Sequence, residues 1–210
     1  MTKKKTPGIL FSIGYGDAPY KGSKRQPGSL DEPQDLFNIV LGLKAVLVDC
    51  RALAGPEHAP PAGSRKPLYV RDGFRRYQLA DALGSRYRYA GHVLGGPGGG
   101  VPGPRPEGIH TLRTWYAAGH RLVLMCQESA PADCHRHHQI SVRGSFWTPD
   151  LPEPLCHYGI DVAHIFDARK CTDEPKAARV VQVVNASALD AFIRGKTKSY
   201  DCTNLQEHLR

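Results

Sequence analysis

The segment from Leu122 to Arg136 constrains the fold of this chain more than any other stretch. An apolar run ends abruptly at Cys126, a polar loop containing Glu128 follows, and Cys134-His135-Arg136 stand where a helix is predicted to begin. A strand, a short loop and a helix start form the unit with which an α/β sheet builds a site at the carboxyl end of a strand. The segment therefore predicts an α/β fold with a site after this strand.

Apolar runs alternate with amphipathic segments along most of the chain, which favours a largely parallel, doubly wound sheet of Rossmann or flavodoxin type in three layers. Strands are predicted at 8–14, 45–51, 87–90, 121–126, 159–165 and 180–184, and helices at 35–43, 74–83, 109–118, 134–143 and 188–194. Segments 17–32, 54–67 and 95–106 are rich in Gly and Pro and are predicted to be loops. We expect residues 1–170 to form the α/β domain and residues 171–210 to form a C-terminal extension packed on it.

The charge balance of the chain bears on its partners. Its 210 residues include 28 lysines and arginines against 20 acidic residues, which gives a formal net charge of +8. Such an excess attracts polyanions, so we expect a nucleic acid or a nucleotide as partner. No apolar run is long enough for a membrane span, and no apolar stretch follows the lysine-rich N-terminus as in a secretory signal. We therefore expect a cytoplasmic protein without a membrane partner; the sequence specifies no oligomeric state.

Polar side chains follow several of the predicted strands. Because the carboxyl ends of parallel strands meet at one edge of a sheet, we expect these side chains to converge on a single crevice. They are Tyr15 after the first strand, Asp49 and Arg51 after the second, His92 after the third, and Cys126 and Glu128 after the fourth.

The catalytic candidates in this crevice are Cys126, Glu128 and Asp49. The dipole of the following helix is expected to lower the pKa of Cys126 and so to favour its nucleophilic thiolate. Glu128 is a candidate general base, or a carboxylate nucleophile toward an anomeric carbon. The alternatives are that Cys126 is a small buried apolar side chain, and that Glu128 caps the helix or pairs with Arg136.

The substrate-binding candidates are chosen for their ability to bind phosphate or to line the crevice. Arginine binds phosphate through two parallel hydrogen bonds, which suits it to such a site. A structural salt bridge, from Arg51 to Asp49 or from Arg136 to Glu128, is the alternative for two of the arginines. The candidates are Tyr15, Arg51, Arg65, His92, His135 and Arg136.

A metal site is the less favoured interpretation of the segment after Cys126. Cys134, His135, His137 and His138 carry ligand atoms, and a zinc ion held with Cys126 or Cys134 is the alternative. The cluster lacks the paired Cys-x-x-Cys or His-x-x-x-His spacing of common zinc sites, so we expect no cofactor. The six cysteines are expected to be reduced thiols.

These motifs together resemble the domain-of-unknown-function family 488 (DUF488). The resemblance implies an α/β fold and a functional importance of Cys126, Glu128, Cys134, His135 and Arg136, but no established reaction. Cys50 stands where the family usually has valine, the 144–157 loop is longer than usual, and the chain beyond residue 170 lies outside the resemblance. The matching pieces, over roughly residues 8–165, are Ile13–Gly16, Val48–Arg51, Ser64-Arg65, Leu94–Gly96, Leu124–Glu128, Cys134–Arg136 and Val162–Ile165.

Three functional hypotheses follow. The leading one is an enzyme acting on a nucleic acid or a nucleotide, at a base or an N-glycosidic bond, with Cys126 and Glu128 carrying the chemistry. The second is thiol chemistry on a small anion, either rhodanese-like sulfur transfer or phosphatase-like hydrolysis, although Ala132 stands where a Cys-x5-Arg phosphate cradle needs arginine. The third is a non-enzymatic nucleic-acid-binding module whose cysteines and histidines hold a structural metal or fill the core.

Overall fold

The structure is a computed structural model, and it describes residues 6–16, 32–52, 70, 72–96, 103–128, 131, 134–167 and 181–209. Its strands are β1 (Ile9–Gly14), β2 (Val46–Asp49), β3 (Tyr87–Tyr89), β4 (Arg121–Cys126), β5 (Val162–Asp167), β6 (Val181–Asn185) and β7 (Thr203–Asn204). They form one sheet in the order β3-β2-β4-β1-β5-β6-β7. The site-bearing strand β4 therefore lies between β2 and β1, inside the sheet.

The first five strands of the sheet are parallel, which confirms the predicted α/β class. β1 pairs with β4 and β5, and β2 pairs with β3 and β4, all in parallel register. β6 runs antiparallel to β5, and β7 antiparallel to β6, so the sheet is mixed at this edge. Through β6 the C-terminal segment continues the sheet of the main domain, while the division of the chain at residue 170 stays a prediction.

The α-helices are α1 (Pro33–Gly42), α2 (Arg76–Leu83), α3 (Gly91–Leu94), α4 (Pro106–Ala117), α5 (Ala186–Ile193) and α6 (Leu205–His208). Two short 3₁₀ helices cover Gly84–Arg86 and Leu155–Tyr158. The predicted α-helix at 134–143 is wrong in type, because Arg136–Ser141 is a π-helix. None of the helices in the described ranges has the length and apolar composition needed to traverse a bilayer.

Side chains along the strands alternate between two faces, and each face is covered by helices, giving the predicted three layers. We call these the α1 face and the α4 face. On the α1 face, Phe11, Ile13, Leu47, Val123 and Met125 pack with Leu36 of α1 and Leu79 of α2. On the α4 face, Leu10, Val48, Leu122 and Leu124 pack with Ile109 and Leu112 of α4 and with Ile140 of the π-helix.

A chain of polar groups is buried within the α4 face. Ser12 and His164 face each other in neighbouring strands and are joined by a hydrogen bond between Oγ and Nδ1. The Nε2 atom of His164 lies 2.9 Å from Nδ1 of His137 in the π-helix. Burial lowers the pKa of His164 well below its usual value and that of His137 to about 4, so both rings are neutral at pH 7.

The buried histidines predict an acid-sensitive fold. Because the pKa of His137 is about 4 in the folded chain and about 6.5 when unfolded, the unfolded chain binds more protons between these pH values. We therefore expect the free energy of unfolding to fall by roughly 3 kcal/mol from this residue as the pH drops from 6.5 to 4. The lowered pKa of His164 makes the free energy of unfolding fall with decreasing pH in the same way. The measurement is urea denaturation across this pH range.

The matched variants are His137→Asn and His157→Asn. His137→Asn is expected to reduce the slope of stability against pH, since asparagine does not titrate. His157 is about half exposed. Its replacement should therefore leave the fall in the free energy of unfolding between pH 6.5 and 4 within about 0.5 kcal/mol of the wild-type fall. Equal slopes in both variants would exclude His137 as a source of the acid sensitivity.

Candidate functional site

Four side chains meet just after β4, and we call them the Cys-Glu-His cluster: Cys126, Glu128, Cys134 and His135. Cys126 is the last residue of β4, Glu128 lies two residues later, and the other two precede the π-helix. Each residue offers one ligand atom, and these atoms all lie within 4.8 Å of one another. The structure thus unites three of the predicted site residues with Cys134, which the sequence suggested as an alternative zinc ligand and the family resemblance as functionally important.

The contacts within the cluster centre on one carboxylate oxygen. The Cys126 thiol donates to Oε2 of Glu128 at 2.8 Å, and the Cys134 thiol donates to the same oxygen at 3.2 Å. The Nδ1 atom of His135 lies 3.8 Å from Sγ of Cys126 and 3.7 Å from Sγ of Cys134. Two sulfurs, one nitrogen and one oxygen therefore surround a common point.

His135 is oriented by a backbone carbonyl. Its Nε2 atom lies 2.9 Å from the oxygen of Leu94, which only accepts, so Nε2 carries the proton and donates. In the neutral ring this leaves the lone pair of Nδ1 directed toward the two thiols. A histidine that ligates a metal usually has its second nitrogen held in this way. The absence of a side chain at Gly96 lets the His135 ring lie against the backbone there, because a Cβ atom on Gly96 would lie 2.6 Å from that ring.

The loop that carries Glu128 is fixed by Arg136 and Gly14. Arg136 is fully buried, and its Nη1 atom donates to the carbonyl oxygen of Glu128 at 2.6 Å and to Sγ of Cys134 at 3.5 Å. Gly14 pairs with Cys126 across the sheet, and a Cβ atom on it would lie only 1.8 Å from that carbonyl. Arg136 thus hydrogen-bonds to the backbone of Glu128. The sequence predicted either phosphate binding by Arg136 or a salt bridge to the Glu128 carboxylate, and not this contact.

Burial and mutual contact shift the pKa values of Cys126 and Glu128. The hydrogen bond with Cys134, together with burial, raises the pKa of Cys126 to about 12. Burial, together with the neighbouring Cys126, raises the pKa of Glu128 to about 7. The expectation that a helix dipole lowers the pKa of Cys126 is wrong. The thiol is buried against a second thiol, and a short π-helix follows in place of the expected α-helix.

The donor set of the cluster is that of a metal site. Thiolate, imidazole and carboxylate are the ligands of zinc in proteins, and the ligand atoms around a tetrahedral zinc lie roughly 3 to 4 Å apart. The distances of 3.7 and 3.8 Å from His135 to the two sulfurs match this spacing. The four side chains could therefore hold a metal ion, and the soft sulfur donors favour zinc over magnesium or calcium.

Asp49, Arg51 and Tyr15 form a separate buried network. Arg51 donates from Nε and Nη2 to the Asp49 carboxylate at 2.8 and 2.6 Å, and from Nη1 to the Tyr15 hydroxyl at 2.9 Å. The Tyr87 hydroxyl donates to the same carboxylate at 2.8 Å. Tyr15 stacks on Phe74 at a ring separation of 4.4 Å. The salt bridge that the sequence offered as an alternative role for Arg51 is thus present.

This network lies on the α1 face, whereas the cluster lies on the α4 face. Tyr15 packs with the core of the α1 face, and Asp49, two residues after Leu47 of that core, lies on the same face. Cys126, two residues after Leu124, lies on the α4 face with Leu122 and Leu124. The sheet therefore separates the strand-end residues into two groups where one crevice was expected. The catalytic role of Asp49 and the binding roles of Tyr15 and Arg51 stay predictions.

Of the two remaining predicted residues, His92 and Arg65, the structure describes only His92. His92 is exposed on α3, with its ring 5.8 Å from that of Tyr89. Arg65 lies outside the described residues, as do positions 97–102 of the glycine-rich loop. Arg105, which the sequence did not single out, is exposed at the start of α4, and its backbone N–H donates to the oxygen of Val93 at 2.8 Å. The sequence around Arg105 does not indicate its position beside α3, because that position results from the packing of α3 against α4.

No protein-family model, curated protein or solved structure matches this chain. The resemblance to the DUF488 family therefore stays a prediction. It depends on the motifs themselves, above all Cys126-Gln127-Glu128 and Cys134-His135-Arg136.

The Asp49 network predicts a large structural cost for Asp49→Ala. The change leaves the buried Arg51 guanidinium without its anion, so we expect the free energy of unfolding to fall by about 3 to 5 kcal/mol. Asp190→Ala is the control, since it removes the more exposed ion pair with Arg194 and should cost less than about 1 kcal/mol. Chemical denaturation of both variants is the measurement. Equal costs would contradict a structural role for the Asp49 network.

Proposed function

We propose that this chain is a zinc-dependent hydrolytic enzyme whose substrate is a nucleotide or a nucleic acid, with the Cys-Glu-His cluster as its centre. The observation that carries the proposal is the convergence of two thiols, an imidazole and a carboxylate within 4.8 Å at the carboxyl end of β4. Strand ends of this kind are where α/β proteins bind their ligands.

The four side chains divide into three metal ligands and one reacting carboxylate. Cys126, Cys134 and His135 are 4, 1 and 7% exposed, and each is anchored by a strand end or by a buried hydrogen bond. Glu128 is only partly buried, and its carboxylate contacts the two thiols, whose protons a metal would displace. Catalytic zinc sites use three protein ligands and keep a fourth position open. We therefore assign zinc binding to the first three and general base catalysis to Glu128.

The chemistry follows from these assignments. A zinc ion held by three protein ligands supplies Lewis acidity and makes water a nucleophile near neutral pH. Glu128 takes a proton from the attacking water and returns it to the leaving group. The buried positions of Cys126 and Cys134 keep solvent away from the ligand sulfurs. Arg136 fixes the backbone of Glu128 and so limits the positions that its carboxylate can reach.

The basic character of the chain supports a phosphate-bearing substrate. Arg105 and His92 are both exposed. His92 lies within α3, which ends at Leu94, and the backbone N–H of Arg105 donates to Val93 of the same helix. The oxygen of Leu94 in turn accepts the hydrogen bond of His135. The positions of Arg105 and His92 make them the phosphate-binding candidates on the cluster side of the sheet. Arg51 and Arg136, in contrast, are 3 and 0% exposed and hydrogen-bond to protein groups. The net charge of +8 would attract a polyanionic substrate from a distance.

The structure weighs against nucleophilic thiol chemistry, the second hypothesis from the sequence. Such chemistry requires a thiolate, which enzymes obtain by lowering the pKa of the cysteine. The pKa of Cys126 is instead raised to about 12, through its hydrogen bond with Cys134 and through burial. Two buried cysteines whose sulfurs lie 3.8 and 3.7 Å from one histidine nitrogen suit metal binding better than attack on a small anion.

The assignment of the ligands predicts one zinc ion per chain. Cys134→Ser and His135→Asn should each lower the affinity for zinc roughly tenfold or more, because each removes a ligand atom. Glu128→Gln should keep one equivalent, as should the control Cys202→Ser, which replaces an exposed cysteine. Elemental analysis and competition with a chromogenic chelator give the stoichiometry and the affinity. An affinity of Cys134→Ser equal to that of wild type, or no zinc bound to wild type with zinc in excess, would refute the centre.

Arg105 predicts where phosphate binds. Arg105→Ala should weaken the binding of a labelled nucleotide about tenfold, because a charge-assisted hydrogen bond contributes roughly 1.5 kcal/mol or more. Arg113→Ala is the matched control on the same helix, since the Arg113 guanidinium lies over the ring of Tyr158 at 3.6 Å. Fluorescence polarisation at several salt concentrations measures both. Equal losses would assign the effect to net charge and not to the position of Arg105.

A further inference from the structure

We infer that the bond broken at the Cys-Glu-His cluster is the C–N bond of an exocyclic amino group on a nucleobase, so that the reaction is hydrolytic deamination. This inference rests on the proposed function and narrows it to one substrate class, the cytosine or adenine ring of a nucleotide or a single strand.

The ligand set determines the charge of the loaded centre. Two thiolates, from Cys126 and Cys134, would balance the two positive charges of zinc, and a neutral His135 ring would add none. Such a centre would supply Lewis acidity and would make water a nucleophile, which adds to an electrophilic carbon and places negative charge on the atom next to that carbon. The ring carbon that carries the amino group of a nucleobase is an electrophilic carbon of this kind, since the adjacent ring nitrogen takes up the negative charge and then a proton.

N-glycosidic cleavage fits this centre less well. Its transition state carries positive charge on the sugar, which enzymes stabilise with a carboxylate placed against the anomeric carbon. The Glu128 carboxylate lies among the ligand atoms instead, at 2.8 and 3.2 Å from the two sulfurs. That position suits proton transfer next to the metal ligands better than stabilisation of a sugar cation. The geometry therefore favours deamination over base excision.

The same chemical groups serve this reaction in other proteins. Zinc-dependent nucleobase deaminases hold the metal with one histidine and two cysteines, and a glutamate that is not a ligand carries the proton. In this chain those groups are His135, Cys126 and Cys134, with Glu128 as the proton carrier. The order along the chain, Cys-x-Glu followed by Cys-His, differs from the His-x-Glu and Pro-Cys-x-x-Cys order of those enzymes. The likeness is therefore one of chemistry and not of sequence.

The reaction balances without any partner besides water. The water oxygen forms a bond to the amino-bearing carbon, and the bond from that carbon to the amino nitrogen breaks. One proton of the water passes through the Glu128 carboxylate to the leaving nitrogen, and the other ends on the ring nitrogen of the keto product. Ammonia leaves, Glu128 is again ionised, and no group is oxidised or reduced.

The test uses the full chain loaded with one equivalent of zinc and four substrates: CMP, AMP, and single-stranded DNA with one cytosine or one adenine. Ammonia release is measured by a coupled assay, and the base is identified by mass spectrometry. We expect ammonia from at least one substrate. Glu128→Gln should lower the rate about 10²- to 10⁴-fold at unchanged zinc content and melting temperature. Glu153→Gln is the control, because Glu153 pairs with Arg143 near the surface, and its rate should be unchanged.

The possible failures are distinguishable. One zinc per chain with no ammonia from any of the four substrates overturns the deamination and leaves the zinc centre standing. Release of a free base in place of ammonia also overturns it, while supporting hydrolysis of a nucleotide. Failure of the wild-type chain to bind zinc overturns both this inference and the proposed function. Ammonia release that Glu128→Gln leaves unchanged refutes the role given to Glu128 here.

Discussion

The cluster depends on a single buried cation, the guanidinium of Arg136. A charge with no exposed surface is costly unless hydrogen bonds compensate for its lost hydration. Arg136 finds acceptors in the carbonyl of Glu128 and the sulfur of Cys134, and so ties together the two ends of the loop after β4. Gly14 makes this closure sterically possible, because any side chain there would overlap the Glu128 carbonyl. The arrangement of thiols, carboxylate and imidazole is thus set before any ligand binds.

The strands were the most predictable part of the fold, and β4 has the same bounds, 121–126, in sequence and structure. Buried parallel strands are continuous apolar runs, which are easy to recognise. The direction of β6 was not predictable, because a strand has the same pattern whichever way it runs. The short elements α3, β7 and α6 were missed, since two to four residues show no period. The π-helix was taken for an α-helix, because its hydrogen bonds from residue i to i+5 have no counterpart in the residue types of Arg136–Ser141.

The site was only partly predictable for a related reason. Cys126, Glu128 and His135 could each be selected by residue type and by position after a strand, but their meeting at one carboxylate oxygen arises from an irregular loop. The sequence could in principle have shown that Asp49 and Cys126 lie on different faces, because successive residues of a strand point to opposite sides of the sheet. Comparing that parity between β2 and β4 needs the register of the two strands, and only the structure supplies it.

The raised pKa values of Cys126 and Glu128 bear on why the cluster would take up a cation. The hydrogen bond with Cys134, together with burial, raises the pKa of Cys126 to about 12, and burial with the neighbouring Cys126 raises that of Glu128 to about 7, so both groups bind protons more tightly than usual. A divalent metal can replace those protons while also satisfying the lone pair of His135, which the Leu94 carbonyl keeps directed inward. Binding then releases protons, so the affinity for metal should rise with pH. The burial that disfavours a free thiolate therefore makes this group of side chains one that a metal ion stabilises.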